Sequence, residues 1–154
     1  MKKIIYILTA AICLLTSCEK ELTLADKLVG DWHCTATSTD AEIYVTFTAE
    51  KTFTLYQQIG EGAFRVYNGT YALETSAAAQ DGAAPQAILT GDYNDGTPWG
   101  SAYTVDYQSN DILKLTAEGI SETYNRVSGG IPEEVKASSV TVVRSAGPDT
   151  LPFL

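Results

Sequence analysis

Apolar and polar residues alternate with a period of two along most of the chain after Gly30. In residues 42–48, for example, Ile43, Val45 and Phe47 share one face, and the residues between them are threonine and tyrosine. Successive side chains of a strand point to opposite faces, so this pattern predicts strands with one buried face. Eight strands are expected, one beginning at residue 31 and the others at 42–48, 52–56, 64–74, 87–93, 99–108, 112–117 and 121–127.

The number of residues in one loop, odd or even, determines which residues of the second and third strands lie opposite each other. If the second and third strands form a hairpin, an odd loop at residues 49–51 places Phe47 opposite Phe53 and Val45 opposite Leu55. An even loop would expose half of these apolar residues.

Asn68-Gly69 admits two interpretations. It is a two-residue hairpin turn, or it is a glycine bend inside one long strand over residues 64–74. We favour the long strand, because glycine inside a strand often marks the bend of a closing barrel.

The elements together predict an all-β fold, an eight-stranded antiparallel meander barrel, because closure removes exposed strand edges. A short N-terminal lead-in helix over residues 21–28 ends at Gly30, and a short C-terminal helix begins with Pro132 as its first residue, where Glu133 and Glu134 suit its positive end. A last strand is expected at 139–144. Residues 75–86 are expected to form a loop, and the barrel domain to span 25–145 with an extended tail at 146–154.

The first residues read as an export signal. Lys2 and Lys3 precede an apolar run at residues 4–15, which is too short for a permanent membrane span of roughly 20 residues. Residues 15–18 (Leu-Thr-Ser-Cys) resemble the lipobox of bacterial lipoproteins. The resemblance implies a signal peptide at 1–17, lipid on Cys18 and a tether at 18–24, and hence a stable membrane anchor in the bacterial cell envelope. The charged residues 19–21 resemble a tag for the outer leaflet of the outer membrane.

The net negative charge of the chain excludes some classes of binding partner. Loss of residues 1–17 leaves eight basic and nineteen acidic residues, a formal charge of −11. Such a surface repels nucleic acid and anionic lipid headgroups, so no nucleic-acid partner is expected. We expect a monomer.

Candidate chemistry is sparse. After export Cys34 is the one ordinary thiol, which excludes an internal disulfide and favours a buried small hydrophobic residue. His33 and Cys34 point to opposite faces of a strand and cannot share a metal ion. Residues 92–96 offer several oxygens, but their glycine spacing does not fit a calcium loop. No Gly-x-Ser-x-Gly elbow or phosphate loop is present, so we expect no enzyme, no cofactor and no metal.

Residues 28–32 (Leu-Val-Gly-Asp-Trp), after a short helix and at the start of the first strand, resemble the Gly-x-Trp signature of the lipocalin and calycin barrels. Residues 53–62, 69–71 and 95–100 also resemble a group of lipocalin-like bacterial lipoproteins. The resemblance covers roughly residues 25–128 and implies a cup-like barrel whose end is closed by Gly30 and Trp32, with Arg126 lying across the indole ring.

Two functions remain open. The first is a lipid-anchored barrel that binds a small hydrophobic or amphipathic ligand in the cell envelope. Amphipathic rings suit such a cavity, and the candidate lining residues are Tyr44, Tyr56, Tyr71, Tyr103 and Tyr107. The second is an interaction module with a filled barrel, which contacts a protein or a glycan through loops 60–62 and 75–86.

Overall fold

The computed structural model describes residues 22–36, 40–75, 86–142 and 153. Their elements run in chain order α1 (Leu24–Leu28), β1 (Gly30–Ala36), β2 (Ala41–Phe47), β3 (Thr52–Ile59), β4 (Arg65–Thr75), β5 (Ala87–Tyr93), β6 (Tyr103–Tyr107), β7 (Ile112–Ala117), β8 (Ile120–Arg126), α2 (Glu133–Ala137) and β9 (Val140–Thr141).

Strands β1 to β8 form a closed antiparallel barrel. Each strand pairs with its neighbour in sequence, and β1 pairs with β8, so that the meander closes on itself. The short β9 adds a parallel contact to β4 at Arg65 and Val66. The prediction of an all-β, eight-stranded meander barrel with two short helices is therefore confirmed, and this architecture is compatible with a lipocalin-like fold.

The β2–β3 register follows the parity argument. Phe47 lies opposite Phe53 and Val45 lies opposite Leu55. Lys51, in the turn, has a φ of +64°, a left-handed conformation that completes the odd loop. The hairpin keeps all four of these apolar side chains in the core.

Strand β4 is continuous through Asn68-Gly69, so the long-strand interpretation is confirmed. Gly69 lies opposite Phe53, and a Cβ atom on Gly69 would collide with the Asp92 carbonyl group of β5. Only glycine allows the two strand backbones to approach this closely while the Phe53 ring lies above them.

The segment before β6 differs from the prediction. Trp99 was expected inside a strand, but β6 begins at Tyr103 and Trp99 lies in the preceding loop. Its backbone N–H donates a 2.8 Å hydrogen bond to the Gly91 carbonyl oxygen. Its ring covers Gly91, where a Cβ atom would lie 2.5 Å from the indole. The missing side chain of Gly91 is what allows the indole to pack here.

The two helices are short and differ in how they begin. In α1 the Thr23 side chain and Asp26 form a capping box, which satisfies the first free N–H groups. In α2 Pro132 takes the N-cap position and not the predicted first helical position, while Glu133 and Glu134 lie in the first turn, as predicted from the sequence.

Candidate ligand site in the barrel interior

One end of the barrel is sealed by Trp32 and Arg126. Trp32 is fully buried, and the Arg126 guanidinium carbon lies 4.2 Å from the centroid of its ring. The two residues are direct partners across β1 and β8. Gly30 is beside them with a φ of +136°, and a Cβ atom there would lie almost on the guanidinium group. The Gly-x-Trp spacing thus provides both the indole and the space for the arginine.

Arg126 and Trp32 also donate hydrogen bonds to the carbonyl groups at the C-terminal end of α1. The last carbonyl groups of a helix have no partner within it. Here Arg126 donates to the carbonyl oxygens of Lys27 at 2.7 Å and Val29 at 2.9 Å, while Trp32 Nε1 donates to Leu28 at 2.8 Å. Helix α1 is therefore fixed across the barrel end by three hydrogen bonds from two side chains.

The barrel interior is lined by aromatic rings. We call the group Phe47, Phe53, Trp99, Tyr103 and Tyr124 the aromatic chamber. The side chains of this group are at most 6% exposed and belong to the hydrophobic core. Phe53 and Trp99 are in edge contact at 5.1 Å, and Trp99 and Tyr103 at 6.1 Å.

The aromatic chamber holds a side chain that no barrel strand supplies. Phe153, predicted to lie in an extended tail, is fully buried among these rings. Its centroid lies 4.7 Å from that of Trp99 and 5.3 Å from that of Tyr103, both in T-shaped contact. Phe47 and Phe53 complete the surroundings at 6.0 and 6.3 Å.

Two tyrosines bind the backbone of Phe153. Its N–H donates to the Tyr103 hydroxyl oxygen at 3.3 Å, and the Tyr124 hydroxyl donates to its carbonyl oxygen. Both tyrosines are fully buried. Burial raises the pKa of each above the usual tyrosine value, while the hydrogen bond from Phe153 opposes the shift at Tyr103. The hydroxyls are therefore neutral groups that can both donate and accept.

A third polar group faces no acceptor. Within the described residues, Trp99 Nε1 is buried and has no hydrogen-bond partner. A buried indole N–H normally has one, so this nitrogen is a donor available to a further acceptor.

The predicted tyrosines divide between the two faces of the barrel. Tyr71 and Tyr103 are buried on the inner side. Tyr107 packs against the core and donates a 2.8 Å hydrogen bond to the Leu24 carbonyl oxygen of α1. Tyr44 and Tyr56 do not line the interior: they pair with each other on the outer face, where Tyr44 stacks on His33 at 4.4 Å.

His33 and Cys34 are neighbours in β1, and their side chains lie on opposite faces of the strand. His33 Nε2 lies outside, 2.5 Å from Glu42 Oε1. Cys34 is buried in the core, and burial, together with the charges of Glu122 and Glu42, raises its pKa to about 12. The thiol is thus protonated and inert at neutral pH.

Sequence reasoning missed three inner residues. Glu122 is only 8% exposed, and the alternation along β8 already places it on the same face as Tyr124. Trp99 was placed in the predicted strand 99–108, on the same face as Tyr103, but its position in a loop over Gly91 had no signal. Phe153 had none, because it belongs to no alternating segment.

The remaining features of the described residues are few. They contain no group of three or more histidine, cysteine or acidic residues that could hold a metal ion. Neither helix among them has the length and apolar character needed to cross a membrane. A cleft of about 290 Å³ at the rim is lined by Tyr67, Asn68, Tyr93, Asn94, Asp95, Thr141 and Val142. Cys18 and most of loop 75–86 lie outside the described residues.

Comparison of the chain with protein-family models, curated proteins and solved structures found no match in any of the three.

Proposed function

We propose that this protein is a non-enzymatic, lipid-anchored, lipocalin-like barrel that binds a small hydrophobic or amphipathic molecule in the bacterial cell envelope. The observation that carries the proposal is the burial of Phe153 in the aromatic chamber. A side chain from outside the eight strands occupies the interior there, so the chamber accepts an aromatic guest that the barrel wall does not provide.

The form of the barrel supports a binding role. Helix α1, Trp32 and Arg126 pack together at one end, an arrangement that suits a cup-like interior. Its lining is apolar and aromatic, with two hydroxyl groups, Tyr103 and Tyr124, that point at the guest. Ligand sites in proteins have this composition, a mainly apolar wall with a few placed polar groups.

The anchor rests on the sequence of residues 1–18. Lipid on Cys18 would hold the cup at a membrane surface, where apolar molecules are concentrated. Labelling cells with a radioactive fatty acid tests this part: the wild-type chain should take up label, and Cys18→Ser should not. Label on the Cys18→Ser chain would contradict the assignment.

The binding role is tested by native mass spectrometry of the mature domain expressed without residues 1–18 and by titration with an apolar fluorescent dye. We expect a bound molecule of low mass or saturable dye binding. An Arg65→Met variant, altered at an exposed position on β4, serves as the control and should bind equally. A protein that is consistently empty and binds no dye would contradict the carrier function.

The complete burial of Phe153 also favours a second candidate, an interaction module with a permanently filled barrel. The loops would then contact a protein or a glycan, and the clefts beside Asn94 and Asp95 and beside Ile59 and Gly62 are described surfaces for that contact. Absence of ligand from both the wild-type protein and a Phe153→Ala variant is the result that this candidate predicts.

A further inference from the structure

Phe153 is held in the aromatic chamber in the manner of a ligand. Its ring makes edge contacts with Phe53, Trp99 and Tyr103, the arrangement that aromatic quadrupoles favour. It is separated by 50 residues in sequence from Tyr103 and by 29 from Tyr124, the two residues that bind its backbone. The guest and the wall are therefore covalently distant parts of one chain.

The hydrogen bonds define which guest fits. A buried hydroxyl group without a partner is costly, so Tyr103 and Tyr124 require polar atoms from whatever fills the chamber. Phe153 supplies an N–H to Tyr103 and a carbonyl oxygen to Tyr124. A hydrocarbon guest supplies neither the N–H nor the carbonyl oxygen. The ring contacts and the two hydroxyl groups together therefore favour an aromatic ring that lies two carbon atoms from a carbonyl carbon, with an N–H donor beside that carbonyl group.

Phe153 leaves one donor unused. The buried Nε1 of Trp99 has no acceptor among the described residues, although the Trp99 ring is the nearest aromatic neighbour of the Phe153 ring. A guest with one more acceptor oxygen than a phenylalanine residue could satisfy this group as well.

We propose that the aromatic chamber is an exchangeable site for small aromatic amides and carboxylates, of which N-acylated aromatic amino acids are the closest in shape, and that Phe153 occupies it as an intramolecular ligand. This inference rests on the proposed function and specifies its ligand class. A free guest must displace Phe153. Because a tethered group acts at an effective concentration on the order of millimolar, the wild-type protein binds such guests weakly.

The test uses N-acetyl-L-phenylalaninamide as the probe and the mature domain without residues 1–18 as the background. Phe153→Ala should lower the thermal midpoint by roughly 10 °C, because it leaves a cavity the size of a phenyl ring. The probe, at about 5 mM to match the tether, should restore several degrees and bind this variant at least about tenfold more tightly than the Phe153 parent. N-acetyl-L-leucinamide, which lacks the ring, should do neither.

The requirement for the Tyr124 hydroxyl group is tested with two tyrosine-to-phenylalanine variants. In the Phe153→Ala background, Tyr124→Phe removes the donor to the guest carbonyl and should weaken probe binding by about tenfold. Tyr56→Phe removes a hydroxyl on the outer face of the barrel, where Tyr56 lies opposite Tyr44, so it should leave the affinity unchanged. Equal losses in the two variants would overturn the assignment of Tyr124.

The outcomes separate this inference from the proposed function. Equal probe affinity with and without the Phe153 ring, or no probe binding to either protein, overturns the inference. If palmitate or an apolar dye still binds, the carrier function survives and only the ligand class is wrong. If Phe153→Ala does not fold, Phe153→Leu keeps the interior apolar and replaces it in the titration, where the same tenfold gain over the Phe153 parent is expected.

Discussion

Replacing Arg126 by methionine should destabilise the barrel by about 3 kcal/mol, because the change removes a whole set of contacts at the sealed end. The guanidinium donates to Lys27 and Val29 of the α1 end and to the Asn110 carbonyl oxygen at 3.0 Å, and it covers the Trp32 ring. A hydrogen bond from a charged group contributes about 1.5–3 kcal/mol, and a cation–π contact about 0.5–2 kcal/mol.

The sum of these hydrogen-bond and cation–π contributions overestimates the destabilisation expected from Arg126→Met. The Arg126 side chain is 27% exposed, so water can replace part of what is lost. Methionine also preserves most of the apolar cover on the indole ring. We therefore expect about 3 kcal/mol, within bounds of about 2 and 5 kcal/mol. Arg126→Lys should lose about half as much, because one ammonium group cannot reach three carbonyl groups in the geometry of the guanidinium fork.

Urea unfolding followed by far-ultraviolet circular dichroism measures this effect. With a slope of about 1.5 kcal/mol per molar urea, the Arg126→Met midpoint should fall by about 2 M at an unchanged slope. Arg65→Met removes an exposed arginine from β4 and should shift the free energy of unfolding by less than about 0.5 kcal/mol. If the two variants behave alike, Arg126 does not fix α1 to the barrel and the account of the sealed end is refuted.

Two further predictions concern the core. Gly91→Ala should destabilise the protein by about 2 kcal/mol or more and change the near-ultraviolet dichroism of Trp99, since a Cβ atom would lie 2.5 Å from its ring; Gly62→Ala, in an open turn, should leave both unchanged. Raising the pH should lower the free energy of unfolding through Cys34, whose pKa is about 12 when folded against 9.0 ordinarily. The folded state keeps this proton, so the contribution is fully present below about pH 9 and falls by up to about 1.4 kcal/mol per pH unit above it. Urea titrations at about pH 8 and about pH 10.5 should therefore differ less in Cys34→Ala than in the wild-type protein; an equal difference would contradict this assignment.

The sequence predicted those parts of the fold that depend on local periodicity. The period of two fixed which residues of β2 and β3 face inward, and loop parity then fixed their register. The same alternation shows that Tyr44 and Tyr56 lie opposite the apolar face, so their assignment to the cavity overlooked a signal that the pattern contains. Residue type had been given more weight than strand face.

The contents of the barrel could not be predicted in this way. Trp99 packs over Gly91 because a loop returns to its own strand, and Phe153 enters the core from a segment with no periodic pattern. Contacts of this kind depend on the space that other side chains leave, which is a property of the assembled interior and not of any window of sequence.

The burial of Phe153 changes how an apolar interior should be interpreted. A barrel whose inner positions are all buried resembles a solid core, yet within the described residues Phe153 is held by two hydrogen bonds from its backbone to tyrosine hydroxyls and by edge contacts of its ring. Rings fixed on strands cannot leave without unfolding the barrel, because their backbones are paired in the sheet. Phe153 belongs to none of the eight barrel strands, so its release would disrupt no pairing within the barrel. Phe153 therefore contributes to stability but can be released without unpairing a barrel strand, so Phe153→Ala should lower the unfolding midpoint less than a wall variant such as Phe53→Ala.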